Sequence, residues 1–249
     1  MRRITWLGHA TVLVELGGAR LLTDPVLRPR IAYLRRHAPA PADPGRLDAV
    51  LVSHLHHDHC HRPSLMRYGA EVPILAPRGA ERLLARVAGD RLRLVAPGDV
   101  VDVAGVRVEV LAATHDGRRH PLSRERPPAL GFRFENEAGS CWYPGDTELR
   151  DDMASVGAVD LALVPVGGWG PTLADGHLDP VEAAEAVRRV GAKWAVPVHW
   201  GSFWPIGLDR VAPGNHQRLF VTPGRRFAEA LAGSGVEAIV LASGERITR

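Results

Sequence analysis

Four of the twelve histidines in this chain fall in one short run, His54-Leu55-His56-His57-Asp58-His59. His54 and His56 are two residues apart, so in an extended backbone both side chains point to one side and can share a metal ion. Asp58 and His59 are adjacent. Where the chain leaves the extended state to begin a helix, they can turn towards a second ion. Imidazole and carboxylate donors suit zinc, iron or manganese rather than calcium. A single histidine is ordinarily structural. The H-x-H-x-D-H spacing directly after a buried strand is what makes metal binding the expectation.

The elements that must hold these residues are legible on both sides of the run. Ile4 to Leu7, Thr11 to Leu16 and Arg20 to Thr23 read as short strands, broken by Gly8 and by a hairpin turn at Gly17-Gly18. The proline-rich stretch from Pro25 to Pro44 reads as a long surface loop with at most one turn of helix, a kind of segment that often faces substrate. Ala49 to Ser53 is an apolar run of the kind a buried strand shows, and it delivers the chain to His54. Strand-like runs follow at Ile74 to Ala76, Leu92 to Ala96, Val100 to Ala113 with a turn at Gly105, Leu130 to Phe134, Cys141 to Tyr143, Asp160 to Val164 and Ala195 to Val198. Helical patterns occupy Arg78 to Val87, Asp179 to Val190 and Gly224 to Ala232. The second of these opens with Asp179 as N-cap, Pro180 at the first helical position and Glu182 at the third. Strands come first and mixed strand–helix units later, which fits an α/β arrangement of two sheets enclosed by helices, in one domain over residues 1–249.

Composition narrows the class. At 249 residues, 45% hydrophobic and 24% charged, the chain can bury one large core and is far from a disordered composition. The 31 basic and 28 acidic residues leave a net charge of +3, and Lys193 is the only lysine. The arginines are spread along the chain, so neither nucleic acid nor a general polyanion is an expected partner. Two cysteines, Cys60 and Cys141, make no disulfide framework and fit a reducing cytoplasm. The N-terminal residues show no unbroken apolar signal region, and no window approaches the ~20 apolar residues of a membrane span. The expectation is a cytoplasmic protein without stable membrane association.

The histidine run resembles the metal motif of the metallo-β-lactamase superfamily, and later residues match its remaining signature positions in order. Asp24 in Leu22-Thr23-Asp24-Pro25 resembles the acidic residue that precedes the motif. His115 resembles the third histidine of the first metal, Asp146 in Tyr143-Pro144-Gly145-Asp146-Thr147 the carboxylate that bridges both ions, and His199 in Val198-His199-Trp200-Gly201 the last histidine. The resemblance implies the αββα four-layer sandwich of that fold and two divalent metal ions, zinc first with manganese or iron as alternatives. Carried over, His54, His56, His115 and Asp146 would hold one ion, and Asp58, His59, Asp146 and His199 the other. Trp6-Leu7-Gly8-His9-Ala10-Thr11, Gly176-His177-Leu178-Asp179-Pro180 and His199-Trp200-Gly201-Ser202-Phe203 are similar to the branch of L-ascorbate-6-phosphate lactonase and N-acyl-phosphatidylethanolamine phospholipase D.

That branch implies a catalytic set of Asp58, His177 and Asp24. Asp58 would help orient the nucleophile, His177 would donate a proton or orient substrate, and Asp24 would fix a histidine tautomer from behind the ligands. His9 reads equally as support for the ligands or as a hydrogen-bonded core histidine, and Cys60 as packing. His61 departs from the branch, which commonly carries an acidic residue there. A further departure is the absence of the animal phospholipase's extra N-terminal segment, which weakens the case for membrane lipid; a nuclease is disfavoured because the inserted second domain of this fold's nucleases has no room. Arg118, Arg119, His120, Arg124 and Arg126 could meet a phosphate or carboxylate, and a solvated charged loop explains them as well. Trp169, Trp200, Phe203 and Trp204 could form an apolar wall at the site or simply pack.

The expected activity is hydrolysis of a small phosphodiester, phosphorylated lactone or related ester, with a hydroxide bridging a dinuclear centre. The partner is then a small-molecule substrate, phosphate-bearing in the leading case, with a homo-oligomer left open. The competing expectations are a β-lactamase- or thioesterase-type hydrolase and a metal-binding or ligand-sensing protein that does not turn over.

Overall fold

The computed structural model describes residues 2–168 and 172–249. Two seven-stranded sheets form its centre. In the first, Arg246–Thr248, Arg2–Gly8, Thr11–Leu16 and Ala19–Thr23 run antiparallel, and Ala49–Leu51, Ile74–Pro77 and Leu92–Val95 continue it in parallel. The second repeats this plan: Val100–Val103, Val106–Ala113, Ala129–Asn136 and Gly139–Tyr143 are antiparallel, and Leu161–Pro165, Trp194–Val198 and Glu237–Ala238 are parallel.

The period-2 alternation of the strands sorts their side chains between layers. Val12 and Val14 of the first sheet and Val106, Val108 and Val110 of the second meet in the core between the sheets. Leu13 and Val50 point the other way, onto a helical layer that includes Leu65 and Leu84. Ala162 and Val164 face Ala183, Val187 and Phe227 of the helices Pro180–Val190 and Pro223–Leu231. Helix, sheet, sheet and helix are the four layers that the resemblance implied.

The helix Pro180–Val190 begins as expected. Asp179 accepts from the backbone amides of Val181 and Glu182, and the Glu182 side chain accepts from the amide of Asp179, a reciprocal cap. The helix expected from Arg78 starts instead at Glu81 and runs to Ala88, because Ile74–Pro77 is extended and Gly79 has a positive φ.

The stretch from Pro25 to Pro44 is more ordered than a surface loop. Arg30–Ile31 and Leu34–Arg36 pair with each other, and Leu34–Arg36 pairs with Phe203–Pro205 in a three-stranded sheet. Val26, Ile31 and Leu34 pack with Phe203 in a separate apolar cluster. Arg36 is buried among carbonyls: its guanidinium donates to Leu7, Val26 and Arg28 and lies over the Phe203 ring at 4.5 Å. Burial lowers the Arg36 pKa to about 10. No local periodicity announces this strap, because its partner strand lies far along the chain.

Candidate metal centre

The expected site residues stand at or just beyond strand ends. Asp24 follows Ala19–Thr23, His54 follows Ala49–Leu51, His115 follows Val106–Ala113, Asp146 follows Gly139–Tyr143, and His199 follows Trp194–Val198. A rigid sheet edge can aim such side chains at one point. The aim also depends on unusual backbone conformations. Among the described residues, His9, Asp24 and His199 are three of the five non-glycine residues with positive φ, at 55°, 34° and 65°. Such residues cost of order 1–3 kcal/mol each and persist where the surroundings over-determine them. The surroundings here do. The carbonyl of His9 accepts from the His199 amide at 3.0 Å and from Trp6 Nε1 at 2.8 Å, and the His9 amide donates to Ser202 Oγ at 2.6 Å. The neighbouring Gly8 has φ +98°, and a Cβ there would lie 2.7 Å from Arg36 Nη1, so only glycine fits the turn.

His54, His56 and His115 form one cluster. His56 Nδ1 is 2.9 Å from His54 Nε2 and 3.1 Å from His115 Nε2. His59, His199 and Asp58 form a second, with His59 Nε2 and His199 Nε2 3.0 Å apart. Asp146 lies between the clusters: its Oδ2 is 3.0 Å from His59 Nε2, 3.5 Å from His199 Nε2, 3.4 Å from His177 Nε2 and 4.0 Å from His54 Nε2. His9 joins the second cluster, with Nε2 2.8 Å from Asp58 Oδ2 and its ring 4.0 Å from that of His199. The sequence left His9 undecided between support and core, and the structure places it in contact with Asp58.

The partners behind the rings set their tautomers. Nδ1 of His199 donates to the Gly167 carbonyl at 2.7 Å, and Nδ1 of His115 to the Gly176 carbonyl at 2.8 Å. Nδ1 of His54 donates to Ser53 Oγ at 2.9 Å, and Nδ1 of His59 to Asp24 Oδ2 at 2.8 Å. Each of these rings therefore turns a bare Nε2 lone pair inward. Lone pairs facing each other at 3.0 Å repel unless something positive lies between them. Asp146 Oδ1 is buried and has no hydrogen-bond partner among the described residues. Inward lone pairs, an orphaned carboxylate oxygen and borderline N/O donors together fit divalent metal ions.

The protonation tendencies agree. Burial and the neighbouring His59, His115 and His56 hold His54 well below the ordinary histidine value. Burial opposes a charge on His59, yet Asp146, Asp58 and Asp24 outweigh it and raise its pKa well above 6.5. Carboxylates that draw a proton to His59 would also stabilise a cation in its place. For Asp58 and Asp146 burial favours the neutral acid. Nearby histidines outweigh it, and both carboxyls stay well below the usual range.

Asp24 sits behind the histidine cluster and accepts from the Ser53 amide at 2.7 Å, Ser53 Oγ at 2.6 Å, His59 Nδ1 and the Tyr143 hydroxyl. Burial and Asp24 hold the Tyr143 phenol well above its ordinary pKa. Ser53 and Tyr143 escaped the sequence reading, although Ser53 adjoins the motif and Tyr143 closely precedes Asp146. His177 reaches the centre from a loop: Nδ1 donates to the Ala174 carbonyl at 3.0 Å, and Nε2 faces Asp146. Burial works against its charged form, but Asp146 prevails and raises its pKa.

Other expected features separate. Phe203 and Trp204 are buried, and the half-buried Trp200 stacks on Trp6 at 5.6 Å, so all three pack against the core; Trp169 lies outside the described residues. Cys60 is buried, with its thiol raised to about 12 by burial, and Cys141 is also free and buried. Arg118 pairs with the exposed Asp116. Arg119 is committed to the histidine loop, donating to the Leu55 carbonyl at 2.9 Å, the Cys60 carbonyl at 2.6 Å and His57 Nδ1 at 2.8 Å. Arg124 and Arg126 line none of the three cavities beside the histidine loop. Over the centre opens a cavity of about 560 Å³, bordered by His56, Asp58, Asp146 and His177 and walled by Tyr33, Leu34 and Pro121.

Stability is expected to depend on pH with a definite sign. Burial lowers the pKa of His9 to about 3, of His61 to about 4 and of His115 to about 4. Each lies below the ~6.5 of an unfolded chain. Their contribution is fully present above about pH 6.5 and is lost as pH falls towards the folded values, because there only the unfolded chain takes up the protons. Urea unfolding at about pH 7.5 and about pH 5 should show a loss on the order of 1–2 kcal/mol per histidine. His59 and His177, whose pKa values the carboxylates raise, contribute with the opposite sign, so a His61→Asn variant that loses as much stability between the two pH values as the parent chain would contradict the neutral assignment of His61.

A family model described as "Beta-lactamase superfamily domain" matches residues 19–200. An N-acyl-phosphatidylethanolamine-hydrolyzing phospholipase D 1 of Caenorhabditis elegans is 29% identical over 82% of the chain, and the chain spans under two thirds, 64%, of that protein. A UPF0173 metal-dependent hydrolase of Methanopyrus kandleri is 31% identical over 99% of the chain and 100% of its own length. Among solved structures, Igni18, a metallo hydrolase of Ignicoccus hospitalis, covers 99% of the chain and 97% of its own with a TM-score of 0.75. At 19% identity that last likeness is one of fold alone. With its pattern matched over most of its length and its donors gathered at one edge of a four-layer sandwich, the chain belongs to the β-lactamase superfamily.

Proposed function

We propose that the protein is a metal-dependent hydrolase with a dinuclear centre, acting on a phosphodiester, phosphorylated lactone or related small ester. The observation that carries this reading is the convergence of bare imidazole nitrogens on Asp146, whose Oδ1 is left without a protein partner. His54, His56 and His115 would hold one ion and Asp58, His59 and His199 the other, with Asp146 shared and His9 beside Asp58. When bound, the ions supply Lewis-acid polarisation of the scissile group and lower the pKa of a water from 15.7 towards ~7. The nematode relative's phospholipase D activity and the archaeal relative's description as a metal-dependent hydrolase support the same class.

The chain's own groups have separable tasks in this mechanism. Asp24 keeps the His59 proton on Nδ1, so that Nε2 stays a donor of electrons. His9 holds Asp58 in place. Tyr33, Leu34 and Pro121 exclude water from the bound substrate and offer an apolar surface beside the scissile bond. His177, with Nδ1 anchored on Ala174 and its pKa raised by Asp146, is placed to give a proton to the leaving oxygen.

Metal content per chain, followed by turnover of phosphodiester, lactone, thioester and β-lactam model substrates, tests the proposal. Two ions with phosphodiesterase or lactonase turnover are the expected result. Two ions with no turnover on any of these would instead favour a ligand-sensing protein, and less than one ion per chain after gentle purification would overturn the dinuclear centre. His177→Gln separates proton transfer from metal binding: metal content should stay intact while kcat falls about 10²–10⁴-fold. If metal is lost along with kcat, His177 is a ligand and not the proton donor.

A further inference from the structure

A second cavity, of about 410 Å³, adjoins the one over the metal centre and shares Ile31, Ala32, His57 and Arg119 with it. Its other charged or titratable walls are Arg30, His61 and Arg62, and no carboxylate lines it. Some arginines at other loops of this chain are answered by an acid, as in Arg118–Asp116 and Arg150–Asp152. Among the described residues Arg30 and Arg62 have no carboxylate within ion-pair distance. Positive charge without a counter-charge, gathered in a concavity, raises the local concentration of anions.

The two histidines that line the cavity add N–H donors. Arg119 donates to His57 Nδ1, so the His57 ring carries its proton on Nε2. Ser64 Oγ accepts from the Leu27 amide at 2.8 Å and lies 2.8 Å from His61 Nδ1, which is the one acceptor within reach of its hydroxyl proton among the described residues. His61 is thereby also protonated on Nε2. Two N–H donors and two unpaired guanidinium groups fit the oxygens of a phosphate or carboxylate, which arginine can engage with two parallel bonds.

We propose that this basic cavity is an oxyanion subsite, which holds a phosphate or carboxylate carried by the substrate while the scissile bond lies over the metal centre. The inference rests on the hydrolase reading for its scissile bond, but not for the binding itself. It makes the enzyme selective for anionic esters over neutral ones, through residues outside the ligand set.

The test uses the full, metal-loaded chain and the exposed pair Arg30→Ala/Arg62→Ala. Titration calorimetry with phenylphosphonate and with benzoate compares the chain with the double variant, so that binding at the metal centre cancels, and the probe with the larger loss identifies the preferred oxyanion. The double variant should bind the preferred probe about tenfold more weakly or worse. In turnover, 4-nitrophenyl hydrogen glutarate is compared with its methyl-capped ester. The ratio of their kcat/KM values should fall about tenfold, with the change in KM rather than kcat. Unchanged probe affinity, or an equal effect on both esters, overturns the subsite. If neither ester is turned over yet the variant loses probe affinity, the subsite stands, and the hydrolase reading fails alone when the phosphodiester, lactone, thioester and β-lactam substrates are not turned over either. Arg30→Lys/Arg62→Lys, which keeps the charge but not the paired donors, should recover part of the affinity.

Discussion

Asp146→Ala is expected to leave the chain with at most one tightly held metal ion and to lower kcat/KM by on the order of 10³-fold or more. The size of the effect follows from where the carboxylate lies. Its Oδ2 is within 3.0–4.0 Å of Nε2 atoms from His54, His59, His177 and His199, which belong to both histidine clusters. Its Oδ1 is buried with no partner among the described residues. Alanine removes the single negative group between two sets of lone pairs, and the histidines then face one another with nothing shared to bind. Asp146→Asn is the sharper variant, because it keeps the shape and removes the charge. Metal content by mass spectrometry and turnover should fall together in both variants. Two retained ions with full activity would falsify the shared-carboxylate assignment.

Asp24→Ala should act on stability first and on metal affinity through it. Four donors converge on this carboxylate: the Ser53 amide, Ser53 Oγ, His59 Nδ1 and the Tyr143 hydroxyl, and Asp24, Ser53 and His59 are fully buried. Alanine leaves all four without an acceptor in a region closed to water. Breaking a buried charged network in this way costs about 3–5 kcal/mol. The His59 ring also loses the partner that fixes its tautomer, a loss worth about 10–100-fold in metal affinity. Chemical denaturation of the metal-free chain isolates the first effect, and competition with a chelator measures the second. Tyr143→Phe is the control, since it removes one donor and leaves the carboxylate, and should cost about 1 kcal/mol. Equal losses in the two variants would mean that Asp24 matters only as packing.

The run from His54 to His59 was legible because its spacing is local. Alternation in an extended strand puts His54 and His56 on one side whatever the rest of the chain does, and the apolar Ala49 to Ser53 run announces that strand. The helix cap at Asp179 was legible for the same reason, since all of its bonds lie within three residues. Asp24, His115, Asp146, His177 and His199 carry no such local mark. They were singled out through the order in which they match a family pattern, and their convergence lies in the tertiary structure alone. The strap from Val26 to Arg36 escaped because its partner strand, Phe203–Pro205, lies far along the chain.

The sequence by itself determined the chemistry: which donors are present, how the first of them are spaced, and which elements carry them. Tertiary structure decided which of these groups meet and in what protonation state. The turn at His9 needs a positive φ and the carbonyl-to-amide bond to His199, so only the assembled sheets bring its ring to Asp58. The inward lone pairs of His115 and His199 depend on the carbonyls of Gly176 and Gly167, which side-chain identity does not encode. Arg119, equally plausible from sequence as a phosphate ligand, is taken up by the histidine loop, whereas Arg30 and Arg62 are left unpaired. Residue type sets what a group can do. Burial and partners distant in sequence set what it does, because hydrogen bonds and desolvation act through space rather than along the chain.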